Sequence, residues 1–193
     1  MAENWPSELY PSQMTWGCVY NSRAFTSSLS NAQQIVSYPG AYWRCSMSFN
    51  RMSQERERRL TAMLGRLQGM AGTINVPTDT RTRTDDIGSP VVASAATNAF
   101  AIGMSGITVE GLAFSAGDYI TINGQLFEVV EDAVASGGSA LVRVNKRVRS
   151  TIAPGTPVEY QNPYCEMRLS NDSFSVDMEQ MSAGSSIEMR EAF

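Results

Sequence analysis

Hydrophobic and polar residues alternate with period two along much of this chain, and fall into helical spacing at one place. In "AYWRCSMSF", Ala41, Trp43, Cys45, Met47 and Phe49 share one face, while Tyr42, Arg44, Ser46 and Ser48 share the other. That is the pattern of a half-buried strand. Upstream, "AFTSSLSNAQQIVSY" predicts two weaker strands joined by a turn at Ser30-Asn31 and closed by a break at Pro39-Gly40. Pro6 and Pro11, set among aromatics, predict an extended arm over the first twenty residues. The helix is expected at about 53–68, "SQERERRLTAMLGRLQG". Ser53 is a natural N-cap, and Leu60, Met63, Leu64 and Leu67 form one apolar stripe. Glu55 can pair with Arg59 on its exposed side, Gly69 or Gly72 ends it, and a short strand, "TINV", follows.

After Pro77 the composition shifts. "TDTRTRTDDIGSP" is polar, and "VVASAATNAFAIGMSG" is rich in small residues without a firm period. Beyond Ile107, "ITVEGLAF", "GDYITINGQLFEVV", "ALVRV" and "PVEY" are short strands divided by Gly and Pro, as in a small barrel. Within 117–130, Asn123-Gly124 suits a two-residue type I′ turn. Such a loop sets Ile120 opposite Phe127, with Ile122 and Val129 on the same apolar side. Tyr119, Thr121, Leu126 and Glu128 take the other face, where Tyr119 and Leu126 are expected to turn outward towards a partner protein. After Pro163, "YCEMRLS" points Cys165, Met167 and Leu169 inward, and "SFSVDMEQ" does the same with Phe174, Val176 and Met178. "SIEMREAF" alternates again. The expected organisation is nested and mainly β (α+β). A β-sandwich or split-barrel core with one packed helix uses residues 1–84 and 160–193, and a small all-β barrel domain, 85–159, is inserted into it.

Composition then removes most chemistry. The chain of 193 residues is 42% hydrophobic and 18% charged, enough apolar residue to fill a core. No run of about 18 apolar residues predicts a membrane span, and the start lacks a secretion signal. The expectation is synthesis in a cytoplasm, with no membrane anchor. There is no histidine, which excludes Ser-His and Cys-His nucleophiles and the usual zinc sites. Cys18, Cys45 and Cys165 are dispersed and odd in number, so they read as reduced, mostly buried thiols. The net charge of −4, with scattered arginines, is a poor grip for phosphate backbones.

The remaining candidates are few. Asp85-Asp86 and Glu131-Asp132 are adjacent in sequence, so on a strand they point to opposite faces, and both sit beside turn signals. "SGGS" at 136–139 lacks the lysine and following helix of a phosphate loop and reads as a hairpin loop. Lys146, Arg147 and Arg149 form a compact basic cluster, read first as a solvated strand end and second as a partner contact. Trp5, Tyr10, Trp16 and Tyr20 either pack back on their own domain or reach a neighbouring subunit, since aromatics are enriched in interface cores. No constellation reads as an active site; no enzyme activity, cofactor or metal is expected.

"FTSSLSNAQQIVSYPGAYWRCSMSF", followed by an Arg/Glu-rich helix ending in "LGRLQGMAG", resembles tail proteins of long-tailed bacteriophages and related prophages. In that family a segment of the form F-x-S-P-L-[ST]-G-x-x-Q-x-x-x-x-P-G-x-x-W precedes a helix and an L-x-G-x-x-G close. "SAGDYITINGQLFEVVEDAVASGGSALVRVNKRVRSTIAPGTPVEY" resembles the inserted part of those proteins, so the likeness runs from about Phe25 to about Pro163. Ser28 stands where the family has Pro, and Asn31 where it has a turn Gly; Asn is the residue that best replaces glycine in the left-handed region. The resemblance implies a distal tail protein of the virion. Such proteins form a ring, six-fold in the family, between the tail tube and the tail tip or baseplate, and the genome passes through it. The implied partners are other copies of the chain, the tail tube protein, and hub and fibre proteins contacted by the insert. A different class of function, a carbohydrate- or receptor-binding module of the tail tip using Tyr119, Asn123 and their neighbours, stays open beside it.

Overall fold

A serine hydroxyl starts the helix. In the computed structural model, which describes residues 2–79, 81–173, 176–178 and 183–193, the Arg56 backbone N–H donates to Ser53 Oγ at the head of α1, Gln54–Leu67. Leu60, Met63, Leu64 and Leu67 are the buried residues of the helix, and Arg59 pairs with Glu55 at 2.8 Å on the exposed side. The helix ends one residue earlier than a glycine would end it. Gln68 itself takes the left-handed conformation (φ 49°, ψ 52°), and its N–H returns to the Gly65 carbonyl.

Before the helix lie β1 (Glu3–Asn4), β2 (Gln13–Thr26) and β3 (Gln33–Met52), and after it β4 (Ile74–Pro77). The inserted region supplies β5 (Gly88–Ser94), β6 (Ala101–Ile107), β7 (Gly111–Phe114), β8 (Tyr119–Ile122), β9 (Gln125–Glu128), β10 (Ala133–Ala135), β11 (Ser139–Arg143) and β12 (Val158–Glu159). The chain then returns with β13 (Tyr164–Leu169), β14 (Val176–Met178) and β15 (Ala183–Glu191). The fold is mainly β, with one helix among the described residues.

One seven-stranded sheet, in the order β1-β4-β13-β15-β3-β2 with β14 also on β15, unites both ends of the sequence. Its buried face carries Trp43, Cys45, Met47, Phe49, Ile74, Val76, Cys165, Met167, Leu169, Ile187 and Met189, packed with the helix stripe in one core cluster. Phe174 lies outside the described residues, as do the side chains of Val176 and Met178.

Two sequence expectations change here. Residues 13–20 of the arm, the two weak strands and the strand at 41–49 are in fact a single long hairpin of β2 and β3, and Pro39-Gly40 does not break it. Val19 faces Tyr42 and Asn21 faces Tyr38, so Pro39, Gly40 and Ala41 lie opposite Tyr20 alone. Gly40 takes φ 109°, and the excess is absorbed as a bulge that leaves the strand continuous. Asn31 does occupy the left-handed region at φ 55° in the turn between the strands.

The insert is the second change. Its strands form three small sheets, β11-β6-β5, β12-β8-β9 and β10-β7, and none closes into a barrel. Isolated bridges at Val91–Pro157 and Val129–Val144 connect them instead of continuous ladders. Register shifts beside Gly88, Ser94 and Ala133 interrupt the pairing that closure needs. A core cluster that draws only on residues between Ile87 and Tyr160 fills the space between these sheets. The featureless run around residues 88–107 proves to be two strands; Ile102 and Met104 are buried with period two, but Gly and Ser between them mask it.

The 117–130 hairpin has the expected register, with Ile120 opposite Phe127 and Ile122 opposite Gln125. Asn123 (φ 51°) and Gly124 (φ 76°) form its turn. A Cβ on residue 124 would come within 2.8 Å of Glu166 Oε2. Gly124→Ala is therefore expected to cost about 1–2 kcal/mol from strain and crowding. Asn123→Gly should be near neutral, and urea unfolding midpoints for the two variants check the contrast.

Candidate functional site: a charge-sealed seam and a projecting ribbon

Strands β8 and β9 are buried on both faces. Ile120, Ile122 and Phe127 belong to the insert's core, while Tyr119 and Leu126 belong to the core of the large sheet. The expectation that Tyr119 and Leu126 turn outward to a partner is thereby corrected. They meet this chain's own Trp43, whose indole Nε1–H donates to the Leu126 carbonyl at 2.8 Å and whose ring lies edge-on to Tyr119 at 5.4 Å. Both faces of the hairpin have a core to fill, so neither is a solvent face.

Beside Trp43 the seam is closed by charge. The Glu191 carboxylate accepts from the Trp43 backbone N–H at 2.9 Å, from Lys146 Nζ and from the Arg149 guanidinium. The Lys146 and Glu191 side chains are respectively 0% and 1% exposed, so the pair has left water almost completely. Burial pushes the Lys146 ammonium below its ordinary pKa, against the opposing pull of Glu191, and lowers Arg149 for the same reason. Two cations around one carboxylate leave an excess positive charge at the seam, with Lys146 enclosed and Arg149 partly exposed. Lys146 is accordingly not part of a solvated strand end. Of the basic cluster, Arg147 alone keeps that character, lying 4.7 Å over the Phe100 ring and donating to the Asn98 carbonyl.

Sequence reasoning missed Glu191 and misread Lys146, although the signal was present. Val142, Val144, Lys146 and Val148 alternate as one buried row, and Ile187, Met189 and Glu191 as another. Parity placed both charges inward; residue type alone argued otherwise.

The acidic pairs are used locally. Asp85 is paired with Arg83, which also reaches Asp118 at 2.7 Å, and Asp86 accepts from the Gly88 N–H. Glu131 pairs with Arg143, and Asp132 accepts from the Ala116 N–H. "SGGS" is the β10–β11 loop, with the Gly137 N–H donating to Glu110. Among the described residues, no group of three or more His, Cys, Asp or Glu side chains is placed to hold a metal.

The N-terminal aromatics divide between packing and exposure. Trp5 stacks on Phe49 at 6.2 Å, and its Nε1–H donates to the Leu9 carbonyl. Trp16 lies edge-on to Trp43. Tyr10 is exposed beneath the Arg56 guanidinium, and Tyr20 is exposed at the base of a ribbon.

That ribbon is the distal half of β2 and β3. Pairing continues from Asn21–Tyr38 to Thr26–Gln33, whereas β15 accompanies β3 over Arg44–Met52 and β13 does not reach it. Tyr20, Phe25, Leu29, Ile35 and Tyr38 are all exposed on it, Leu29 at 97%. The Ser27 hydroxyl accepts from the Leu29 and Ser30 N–H groups and shapes the tip.

The sequence matches no known protein family and no curated protein.

Proposed function

We propose that this chain is a structural subunit of a long-tailed bacteriophage tail, assembling with copies of itself into a closed ring at the distal end of the tail tube. The projecting ribbon carries the reading. A two-stranded hairpin without a third strand is marginal in water, and open strand edges bearing apolar side chains are hazards that proteins cover. Here both conditions hold over residues 20–38, which supports a second copy as the covering surface. Closed rotational symmetry is the usual way a head-to-tail contact of this kind avoids open filaments. The motif resemblance supports a six-fold ring joined to tail tube, hub and fibre proteins. The net charge of −4 suits a lumen through which DNA passes without sticking.

The test is native mass spectrometry and negative-stain microscopy of the purified chain, alongside a variant with residues 23–36 replaced by Asn-Gly. The full chain is expected to form closed rings, and the shortened chain to stay monomeric with its melting transition kept. A full chain that remains strictly monomeric at high concentration, and is missing from purified tails, would sink the reading.

A further inference from the structure

A head-to-tail contact joins two different patches of the same chain, so the ribbon needs a second surface to meet. The outward side of the insert supplies one. Val134 on β10 faces Leu112 on β7 across the ladder, and Leu141 stands on β11, joined to β10 by the turn that the Ser136–Ser139 bridge closes. Leu112, Val134 and Leu141 are 56%, 64% and 63% exposed. Val134 and Leu141 each sit between two buried residues, so their side chains turn away from the insert's core. Outside the ribbon, the exposed rings of Tyr10, Phe100 and Phe193 each pack against an arginine, whereas these aliphatic side chains stay open to water. Clustered exposed apolar residues of this kind mark an interaction surface.

Charge makes the two surfaces complementary. Residues 85–159 hold eight acidic and four basic side chains, so the whole net charge of −4 lies in the insert and the rest of the chain is neutral. Two of those four cations, Lys146 and Arg149, are turned to Glu191 at the seam. At one end of the patch, the Glu110 carboxylate accepts from the Gly137 N–H in the β10–β11 turn. At the other, Glu131 and Asp132 precede β10, and Arg143 pairs with Glu131. Three carboxylates against one guanidinium leave this rim acidic. The ribbon is the converse: Arg23 is the one charged residue of 20–38, and Phe25, Leu29 and Ile35 are exposed along with it. An apolar surface bearing a cation fits an apolar patch rimmed by carboxylates, and their contact covers both at once.

We infer that the ribbon of one copy docks on the Leu112–Val134–Leu141 face of the next copy's insert, with Arg23 against its acidic rim. The inference rests on the proposed head-to-tail assembly and names the second surface it uses.

Complementation between two defective chains tests it. One chain lacks the ribbon, with residues 23–36 replaced by Asn-Gly; the other carries Val134→Lys with Leu141→Lys. Each alone is expected to self-associate about a hundredfold or more weakly than the unmodified chain, the loss usual for two central apolar contacts. Mixed in equal amounts they should give a dimer by native mass spectrometry, because one chain keeps the face and the other keeps the ribbon. Arg23→Glu in the lysine-bearing chain should weaken that dimer several-fold. Leu112→Lys, on a separate strand, takes the place of the double variant should that variant lose its melting transition. Lysine-bearing chains that assemble like the unmodified chain overturn the docking and leave the ring proposal standing. Unmodified chains that pair through this face yet never close overturn the ring and leave the docking standing. A mixture that stays monomeric overturns the docking.

Discussion

Glu191→Ala is expected to destabilise the protein by about 3–5 kcal/mol, because it leaves the fully buried Lys146 and the partly buried Arg149 with no counter-charge. Against a typical total of about 5–15 kcal/mol, that loss brings the fold near its limit. Lys146→Met should cost much less, since Arg149 still neutralises Glu191 and the excess charge disappears. The pH dependence separates charge from packing. Folded Lys146 sits below its unfolded pKa, so in the window between the two values the unfolded state binds more protons, and stability rises with pH. Removing Glu191 lowers the folded value further and widens the window downward. The alanine variant should therefore regain stability towards alkaline pH more steeply than the unmodified chain. Urea denaturation across neutral to alkaline pH measures this. A cost below about 1 kcal/mol, within the range of an exposed pair, would show that the seam does not depend on the carboxylate.

The second large effect is at Trp43, where Trp43→Ala should cost about 3–5 kcal/mol, the usual figure for emptying a buried aromatic site. Trp43 is 2% exposed, belongs to the core of the large sheet, and bonds the β8–β9 hairpin whose other face fills the insert's core. Trp43→Phe retains most of the volume and loses the donor to the Leu126 carbonyl, so about 1–2 kcal/mol is expected. If the seam couples the two cores, both variants shift a single transition. If the insert melts separately in Trp43→Ala, calorimetry should resolve two transitions. The Trp43 backbone N–H that donates to Glu191 is kept in both Trp43 variants, so any non-additivity of the Glu191 and Trp43 effects reports a backbone shift at the seam.

Local rules were legible in the sequence wherever short-range geometry decides. The Ser53 cap, the Leu60-to-Leu67 stripe, the alternation from Ala41 to Phe49 and the Asn123-Gly124 turn each depend on neighbours a few residues away, and each stands in the structure. What failed needed knowledge of distant partners. Tyr119 and Leu126 lie on the expected face of their hairpin, but nothing near them announces that Trp43 will cover it. Glu191 meets Lys146 across 45 positions of sequence, so no spacing links them. At Pro39-Gly40 the dipeptide suits a break, and only the pairing with residues 19–21 turns it into a bulge. Of the seam, Lys146 and Arg149 were visible as a basic cluster, whereas Glu191 joins them only through tertiary structure.

The position of β15 has a consequence in time. It joins β3 to β13 in the large sheet and supplies Glu191, yet it is synthesised after every other described strand. The insert's core, drawn from residues 87–160, is complete in sequence before β15 exists. On a translating ribosome the inserted unit can therefore fold first, while β2 and β3 wait for their neighbour. During that interval β3, paired only with β2, presents one open edge and β13 another, and the chain is then at its greatest risk of mispairing.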